Sequence, residues 1–255
     1  MRLSTSMDLS DGVQAGGGGS SFANTKSCDF DGVDDYLEIT QTAAYTTTTL
    51  SMWIKTSKVF ASNIGDSLAS NDDGTINQGR TFFIGDTPTS LNNAYIGMRA
   101  GAIIYGKVSG GIPVNDGNWH HLAWTYDSTA VTSAAINMYV DGVNQYSNAT
   151  NTSYWSRVIK YKYFGKVVSA GVSDYFIGIQ DEISIWGTAL SAADVLTLYN
   201  SGTPTDLSST LATAPDGWWR NGDGDVFPNL TDNSANSNTA VMTNMLAGDI
   251  VTDVP

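Results

Sequence analysis

The sequence predicts an antiparallel all-β sandwich with one short helix, and three observations point there. Short runs of alternating apolar and polar residues, broken by turn residues, continue to about residue 187. No strand–helix–strand spacing separates them, which argues against a parallel sheet. Of the 25 acidic residues only Glu38 and Glu182 are glutamate, and an aspartate-rich pool beside 26 glycines favours turns over helices. A chain of 255 residues with 41% hydrophobic and 15% charged residues can build one large core and is not disordered in composition.

Residues 1–25 are polar and contain Gly16-Gly17-Gly18-Gly19-Ser20-Ser21, the composition of a flexible arm. A core domain is expected over 26–203. Its strand candidates begin with 28–31 and 35–40. Next comes a strand with Leu50, Met52 and Ile54 on one face and Ser51, Trp53 and Lys55 on the other. Candidates 80–85, 94–99, 102–108 and 119–127 follow, then Ile136, Met138 and Val140 opposite Asn137 and Tyr139. Val140-Asp141-Gly142-Val143 is a hairpin signal, because a type I′ turn needs positive φ at both central residues. Strands at 163–168 and 175–186 complete the series. The helix is marked by Ser191 as cap, Asp194 closing a capping box, Leu190 and Val195 as a hydrophobic staple, and Gly202 as its end. Val195, Leu198 and Tyr199 form its inward stripe.

Four pieces stand in order: Phe30-Asp31-Gly32-Val33-Asp34-Asp35-Tyr36-Leu37, Trp119-His120-His121-Leu122-Ala123-Trp124-Thr125-Tyr126-Asp127, Tyr139-Val140-Asp141-Gly142, and Gly178-Ile179-Gln180-Asp181-Glu182-Ile183-Ser184-Ile185-Trp186 before the helix. Together they resemble the laminin-G-like jelly-roll family of the concanavalin-A-like lectin/glucanase fold, which implies two antiparallel sheets, one of them concave. The segment from Trp218-Trp219-Arg220 to Thr243-Asn244 looks like opening strands that in this family usually precede the Phe-Asp-Gly motif. Either the domain is circularly permuted or this is a vestigial second copy. Permutation is favoured, because roughly 40 residues without staples rarely make a core. Residues 204–255 are therefore expected to complete the sandwich and end in a tail.

A net charge of -13 argues against nucleic acid or an anionic bilayer as partner. The single Cys28 has no internal disulfide partner, and no run approaches the ~18 apolar residues of a membrane span. Met1 to Val13 lacks the apolar run of a secretion signal. The sequons at Asn148, Asn151 and Asn229 read as chance in a Thr/Asn/Ser-rich surface.

Glycoside hydrolysis needs two carboxyl groups across the scissile bond. The Glu-x-Asp-x-x-Glu string of the glucanases with this fold is missing, and regular alternation would put Asp181 and Glu182 on opposite faces. His120 and His121 are adjacent on a strand, point apart and cannot share a zinc. No nucleophile elbow or phosphate-cradling loop is present. No cofactor is therefore expected to be required. The resemblance does imply a structural Ca²⁺, held by Asp181 with backbone oxygens near the Phe-Asp-Gly turn. Asn221, Asp223, Asp225 and Asp232 match a calcium-loop count but lack its turn glycine, Val226 standing there, and read as coincidence. The binding candidate is a basic aromatic patch, Tyr154, Trp155, Arg157, Lys160, Tyr161 and Lys162, because such mixtures serve interfaces and sugar platforms.

The expected function is a non-enzymatic virion structural protein, a phage capsid decoration or fibre-associated protein made in the host cytoplasm and displayed on the virion surface. Its partners would be other virion proteins or its own oligomer, with glycan adhesion as an addition. The alternative is a carbohydrate-binding lectin-like module, extracellular or at a cell surface, with cell-surface glycans as partners. A divergent glycoside hydrolase ranks last. Membrane insertion is expected of none of them.

Overall fold

The computed structural model describes residues 22–40, 43–59, 66–70, 80–85, 95–100, 103–107, 111–127, 129, 136–148, 159–169 and 172–255. The strands are β1 (Ser27–Asp31), β2 (Tyr36–Ile39), β3 (Thr47–Lys55), β4 (Asp66–Ser70), β5 (Arg80–Gly85), β6 (Tyr95–Ala100), β7 (Ile103–Lys107), β8 (Trp119–Asp127) and β9 (Ile136–Val140). They continue as β10 (Val143–Asn148), β11 (Tyr163–Phe164), β12 (Lys166–Ser169), β13 (Val172–Tyr175) and β14 (Ile177–Trp186). After the helix α1 (Ala192–Tyr199) come β15 (Gly217–Trp219), β16 (Asn229–Leu230), β17 (Ala240–Thr243) and β18 (Ile250–Val251).

Two antiparallel sheets form the sandwich. The first runs β10-β9-β8-β3-β14-β1-β18, with β15 also paired to β14. The second runs β16-β17-β2-β11-β4-β5-β6-β7, and β12 and β13 form a separate ribbon. Between the sheets lies a core that includes Leu50, Met52, Ile54, Trp124, Phe164 and Trp219. A smaller core on the outer face of the first sheet packs Ala123, Tyr139 and Trp186 against Val195 and Leu198 of α1, with Leu207 and Trp218.

That second core explains a departure from the sequence pattern. β3 alternates in sequence as a half-buried strand does, yet Ser51 and Trp53 on its outward face are buried, each 3% exposed, because α1 and the segment after it roof them over. β4 carries no sequence signal for a related reason: all five of its residues are buried, so Asp-Ser-Leu-Ala-Ser shows no apolar–polar alternation.

The hairpin between β9 and β10 turns through Asp141 at φ 51 and Gly142 at φ 74, as a type I′ turn requires. Asp194 N donates to Ser191 Oγ at 3.2 Å and Ser191 N to Asp194 Oδ2 at 3.0 Å, which is the capping box. The helix ends at Tyr199, earlier than the expected Gly202, because Asn200 already takes the left-handed conformation at φ 44. Tyr199 is only half-buried and stacks on Trp53, ring centroids 6.0 Å apart. The expected continuous strand 175–186 is interrupted at Phe176, and 163–168 is divided at Gly165, whose φ is 79.

Residues 217–251 are woven into both sheets and do not stand apart as a second unit. β15 pairs with Ile183–Ile185 of β14, β17 with β2, β16 with β17 and β18 with β1. Trp218 is 4% and Trp219 0% exposed. A Cβ at Gly217 would lie 2.6 Å from the Trp219 ring, so this close approach requires glycine.

Candidate functional site

On the outer face of the second sheet, β2, β11 and β17 carry partly exposed side chains, whereas β4 is buried on both faces. On β2, Leu37 and Ile39 point into the core while Tyr36 and Glu38 point out, by simple alternation. β11 lies beside β2 with Tyr163 opposite Glu38 and the buried Phe164 opposite Leu37. β17 flanks the other side, Val241 opposite Glu38 and Thr243 opposite Tyr36. The Tyr36 and Tyr163 rings meet edge to face with centroids 5.5 Å apart. Lys166 Nζ lies 3.7 Å from the Tyr36 centroid and 4.6 Å from that of Tyr163. Lys162 Nζ lies 4.7 Å from the Tyr163 centroid and 3.6 Å from Glu38 Oε1. A hydrogen bond with Tyr163 outweighs the effect of burial and raises the Lys162 pKa, with Glu38 adding to it.

The expected patch is only partly assembled here. Tyr154, Trp155 and Arg157 lie outside the described residues. Lys160 is exposed and Lys162 joins the outer face. Tyr161 is a correction: it precedes β11 and faces inward, where it is 1% exposed, stacks on Phe82 and lies 3.2 Å from Thr48 Oγ1 through its hydroxyl. It is a core residue and offers no contact surface. Tyr163 and Lys166 belong to the same basic aromatic stretch, 154–166; Tyr36 does not, although the outward parity of Tyr36 and Glu38 around Leu37 is readable in the sequence.

The Asp181–Glu182 pair also departs from expectation. Glu182 takes φ 46, and the register between β14 and β3 shifts between Asp181 and Ser184. This bulge turns both carboxyls to the outer face of the first sheet. Asn24 Nδ2 donates to Asp181 Oδ2 at 2.8 Å. Trp218 Nε1 donates to Glu182 Oε2 at 2.5 Å and Arg220 Nε to Glu182 Oε1 at 3.2 Å. Arg220 also donates to Ala23 O and lies 4.4 Å from the Phe22 centroid, so residues 22–24 close over the pair. Burial, then the Glu182 charge, pushes the Asp181 carboxyl well above its ordinary value. Burial pushes Glu182 up to about 7 against the opposing bonds from Trp218 and Arg220. A hydrolase needs its two carboxyls facing a cleft, and these are sealed under protein at 0% and 4% exposure.

The calcium ligand set implied by the resemblance does not assemble. Asp31 pairs with Ile177, four residues along β14 from Asp181 and so about 13 Å away. Asp31 Oδ1 instead accepts from Val33 N and Asp34 N, and Asp35 Oδ2 from Asp31 N, bracing the turn. Beside Asp181 stand Glu182, the Asp223 charge and Asn24, whose Oδ1 is buried without a hydrogen-bond partner. All six oxygens of these three carboxyls already accept hydrogen bonds, Asp181 from Glu182 N and Asn24, Glu182 from Trp218 and Arg220, and Asp223 from Thr25 and Arg220, and among the described residues the carboxyls that come close enough together to share a cation are those of Asp31, Asp34 and Asp35. Asp225 and Asp232 spend their oxygens on backbone amides, including Gly222 N and Trp218 N.

His120 sits between Asp141 Oδ2 at 2.8 Å and Asp116 Oδ1 at 3.1 Å. Burial lowers its pKa, but the two carboxylates outweigh burial and the net shift is upward. His121 Nε2 lies 2.7 Å from Ser51 Oγ, and burial pulls the imidazole down to about 4. The cavity at this Ser–His pair holds about 10 Å³, room for one water and no substrate. A larger cleft of about 410 Å³ opens at the end of the sandwich between Lys55–Lys58 and Ile177–Ile179. Its lysines are each engaged, Lys55 by Asp253 and Lys58 by Asp66, both at 2.6 Å, and among the described residues no aromatic ring lines it.

Among the described residues, no helix is long and apolar enough to cross a membrane. No curated protein matches the chain. A putative carbohydrate binding protein from Bacteroides ovatus superposes with a TM-score of 0.65 at 16% identity, over 92% of this chain and 62% of that one. A heptameric SAP-like pentraxin from Limulus polyphemus does so with a TM-score of 0.54 at 17% identity, over 69% and 82%. Identities this low establish the fold alone. The sequence model of the concanavalin A-like lectin/glucanases superfamily matches residues 31–196, well over half the chain. With its two antiparallel sheets and that match, the chain belongs to the concanavalin A-like lectin/glucanase superfamily.

Proposed function

We propose that this chain is a non-catalytic, lectin-like carbohydrate-binding module working outside cells or at a cell surface. The observation that carries the reading is the partly exposed cluster on β2 and β11, where Tyr36 and Tyr163 meet and are flanked by Lys162, Lys166 and Glu38. Half-exposed aromatics with polar neighbours are what sugar-binding surfaces use, and the buried carboxyl pair offers no hydrolytic alternative. The carbohydrate-binding neighbour from Bacteroides ovatus supports it by analogy of fold. A glycan array followed by titration calorimetry tests the proposal: Tyr163→Ala should lower affinity at least tenfold with the melting midpoint held. Binding that survives both Tyr163→Ala and Tyr36→Ala, or release of sugar from a bound chain, would overturn it.

A structural calcium ion with Asp181 among its ligands is proposed with it. The virion-surface role expected from the sequence is the narrower version, since a protein displayed on a particle could adhere through the same face. Of its two proposed contact segments, residues 1–21 of the arm and Tyr154, Trp155 and Arg157 of the patch lie outside the described residues, while residues 22–25 pack against Arg220 and Asp223.

A further inference from the structure

We infer that the outer face of the second sheet selects acidic glycans, sugar chains bearing carboxylate or sulfate groups, with the Lys162 and Lys166 ammonium groups as the selecting elements. The inference rests on the carbohydrate-binding reading and narrows its ligand class.

Where the cations sit decides between neutral and acidic sugars. The Lys166 ammonium lies against the face of Tyr36 at 3.7 Å and reaches Tyr163 at 4.6 Å, while Lys162 approaches Tyr163 from its own side at 4.7 Å. A neutral sugar stacking on Tyr36 has to displace that ammonium and forfeit its attraction to the ring. An acidic group pairs with the ammonium where it stands. The rings thus hold the two lysine heads in place beforehand, which removes part of the ordering cost of binding.

The local charge balance agrees. Among the described residues, Glu38 is the carboxylate paired with Lys162, at 3.6 Å, and the flanking positions Thr243 and Val241 are uncharged. The exposed Lys160 stands two residues before Lys162. A chain of net charge -13 repels polyanions in general, so any that bind must do so at a local cationic site. Lysine is a compact charge on a flexible stem, without the planar fork that makes arginine prefer one oxyanion geometry, so carboxylate and sulfate both suit it.

The experiment measures affinity of the full chain by calorimetry for polygalacturonate, dextran sulfate and the neutral polymers galactan and dextran, at low and high salt. The expected result is salt-sensitive binding to at least one acidic polymer, weakened about tenfold or more in Lys162→Gln/Lys166→Gln and restored toward wild type in Lys166→Arg. Comparing the two acidic polymers tells carboxylate from sulfate recognition. Melting curves confirm that the variants fold, Lys162 being 44% exposed at its side chain. Equal binding of neutral and acidic polymers, lost in Tyr163→Ala, overturns the acidic class and leaves the carbohydrate-binding reading standing. Acidic binding that the lysine variants do not change overturns the site. Failure to bind any acidic polymer overturns the inference, and if a glycan array is blank as well, the functional reading falls with it.

Discussion

Trp218 Nε1 donates to Glu182 Oε2 at 2.5 Å, tying β15, the first strand after the helix, to the bulge in β14. The bond satisfies one side of a carboxyl whose neighbour, Asp181, is buried beside it. Two carboxyls and Asp223 share one guanidinium, so the site is short of positive charge whenever all are ionised.

The first prediction follows from the direction of these shifts. Both folded pKa values lie above their ordinary ones, so the fold disfavours the charged forms. Stability from this pair is full below the ordinary carboxylate range and falls as pH rises from 4.5 toward about 7. Without added calcium, the melting midpoint should drop between pH 5 and pH 8. Asp181→Asn should flatten the drop and raise the midpoint at pH 8. An Asp181→Asn profile as steep as wild type would count against the charge argument.

Calcium should act in the opposite direction to this loss. A cation that binds only the folded, ionised site stabilises by mass action, and it competes with protons. Added calcium should raise the midpoint more at pH 8 than at pH 5.5, chelator should reverse it, and Asp181→Asn should abolish the response. Equal midpoints with calcium and with chelator at pH 8 would remove calcium from the account.

His120 gives a separate pH signature. Its net pKa is raised by Asp141 and Asp116 against the effect of burial. Its contribution is complete below the ordinary histidine value of 6.5 and is lost as pH rises through the higher folded value. His120→Gln should remove the part of the alkaline stability loss that survives in Asp181→Asn, as read by denaturant midpoints at pH 6 and pH 8.5. If the double variant retains the full slope, neither group controls it.

Several elements were legible because one local rule decided each: the Asp141-Gly142 turn from its φ demands, the Ser191 cap from its capping box, and the inward faces of β3 and β9 from alternation. β4 was not legible, because it is buried on both faces and alternation is then silent. The shared face of Asp181 and Glu182 was not legible either, since it depends on one residue taking φ 46. The Tyr36–Tyr163 meeting depends on which strand pairs with which, and that is a property of topology. Composition alone puts Tyr161 on the surface patch, and parity does not correct it, because Lys162 and the next residue, Tyr163, both face outward and the alternation breaks between them.

The last prediction concerns the segment after the helix. Trp219 is fully buried, its ring centroid 5.5 Å from that of Phe164, and its Nε1 donates to Asn238 O at 2.7 Å. It therefore joins β15 to the core and to the loop that precedes β17. Removing a buried ring of this size leaves a cavity between the sheets, so Trp219→Ala should cost about 3–5 kcal/mol, measured by denaturant unfolding. Ending the chain at Gly202 is a harsher change, because it deletes β15 to β18 at once. β1 would lose β18 and β2 would lose β17, baring strand edges in both sheets. Bared edges pair with other chains, so the truncated protein should aggregate on expression. A soluble truncated chain that unfolds at the full-length midpoint would show that residues 203–255 decorate a sandwich already complete without them.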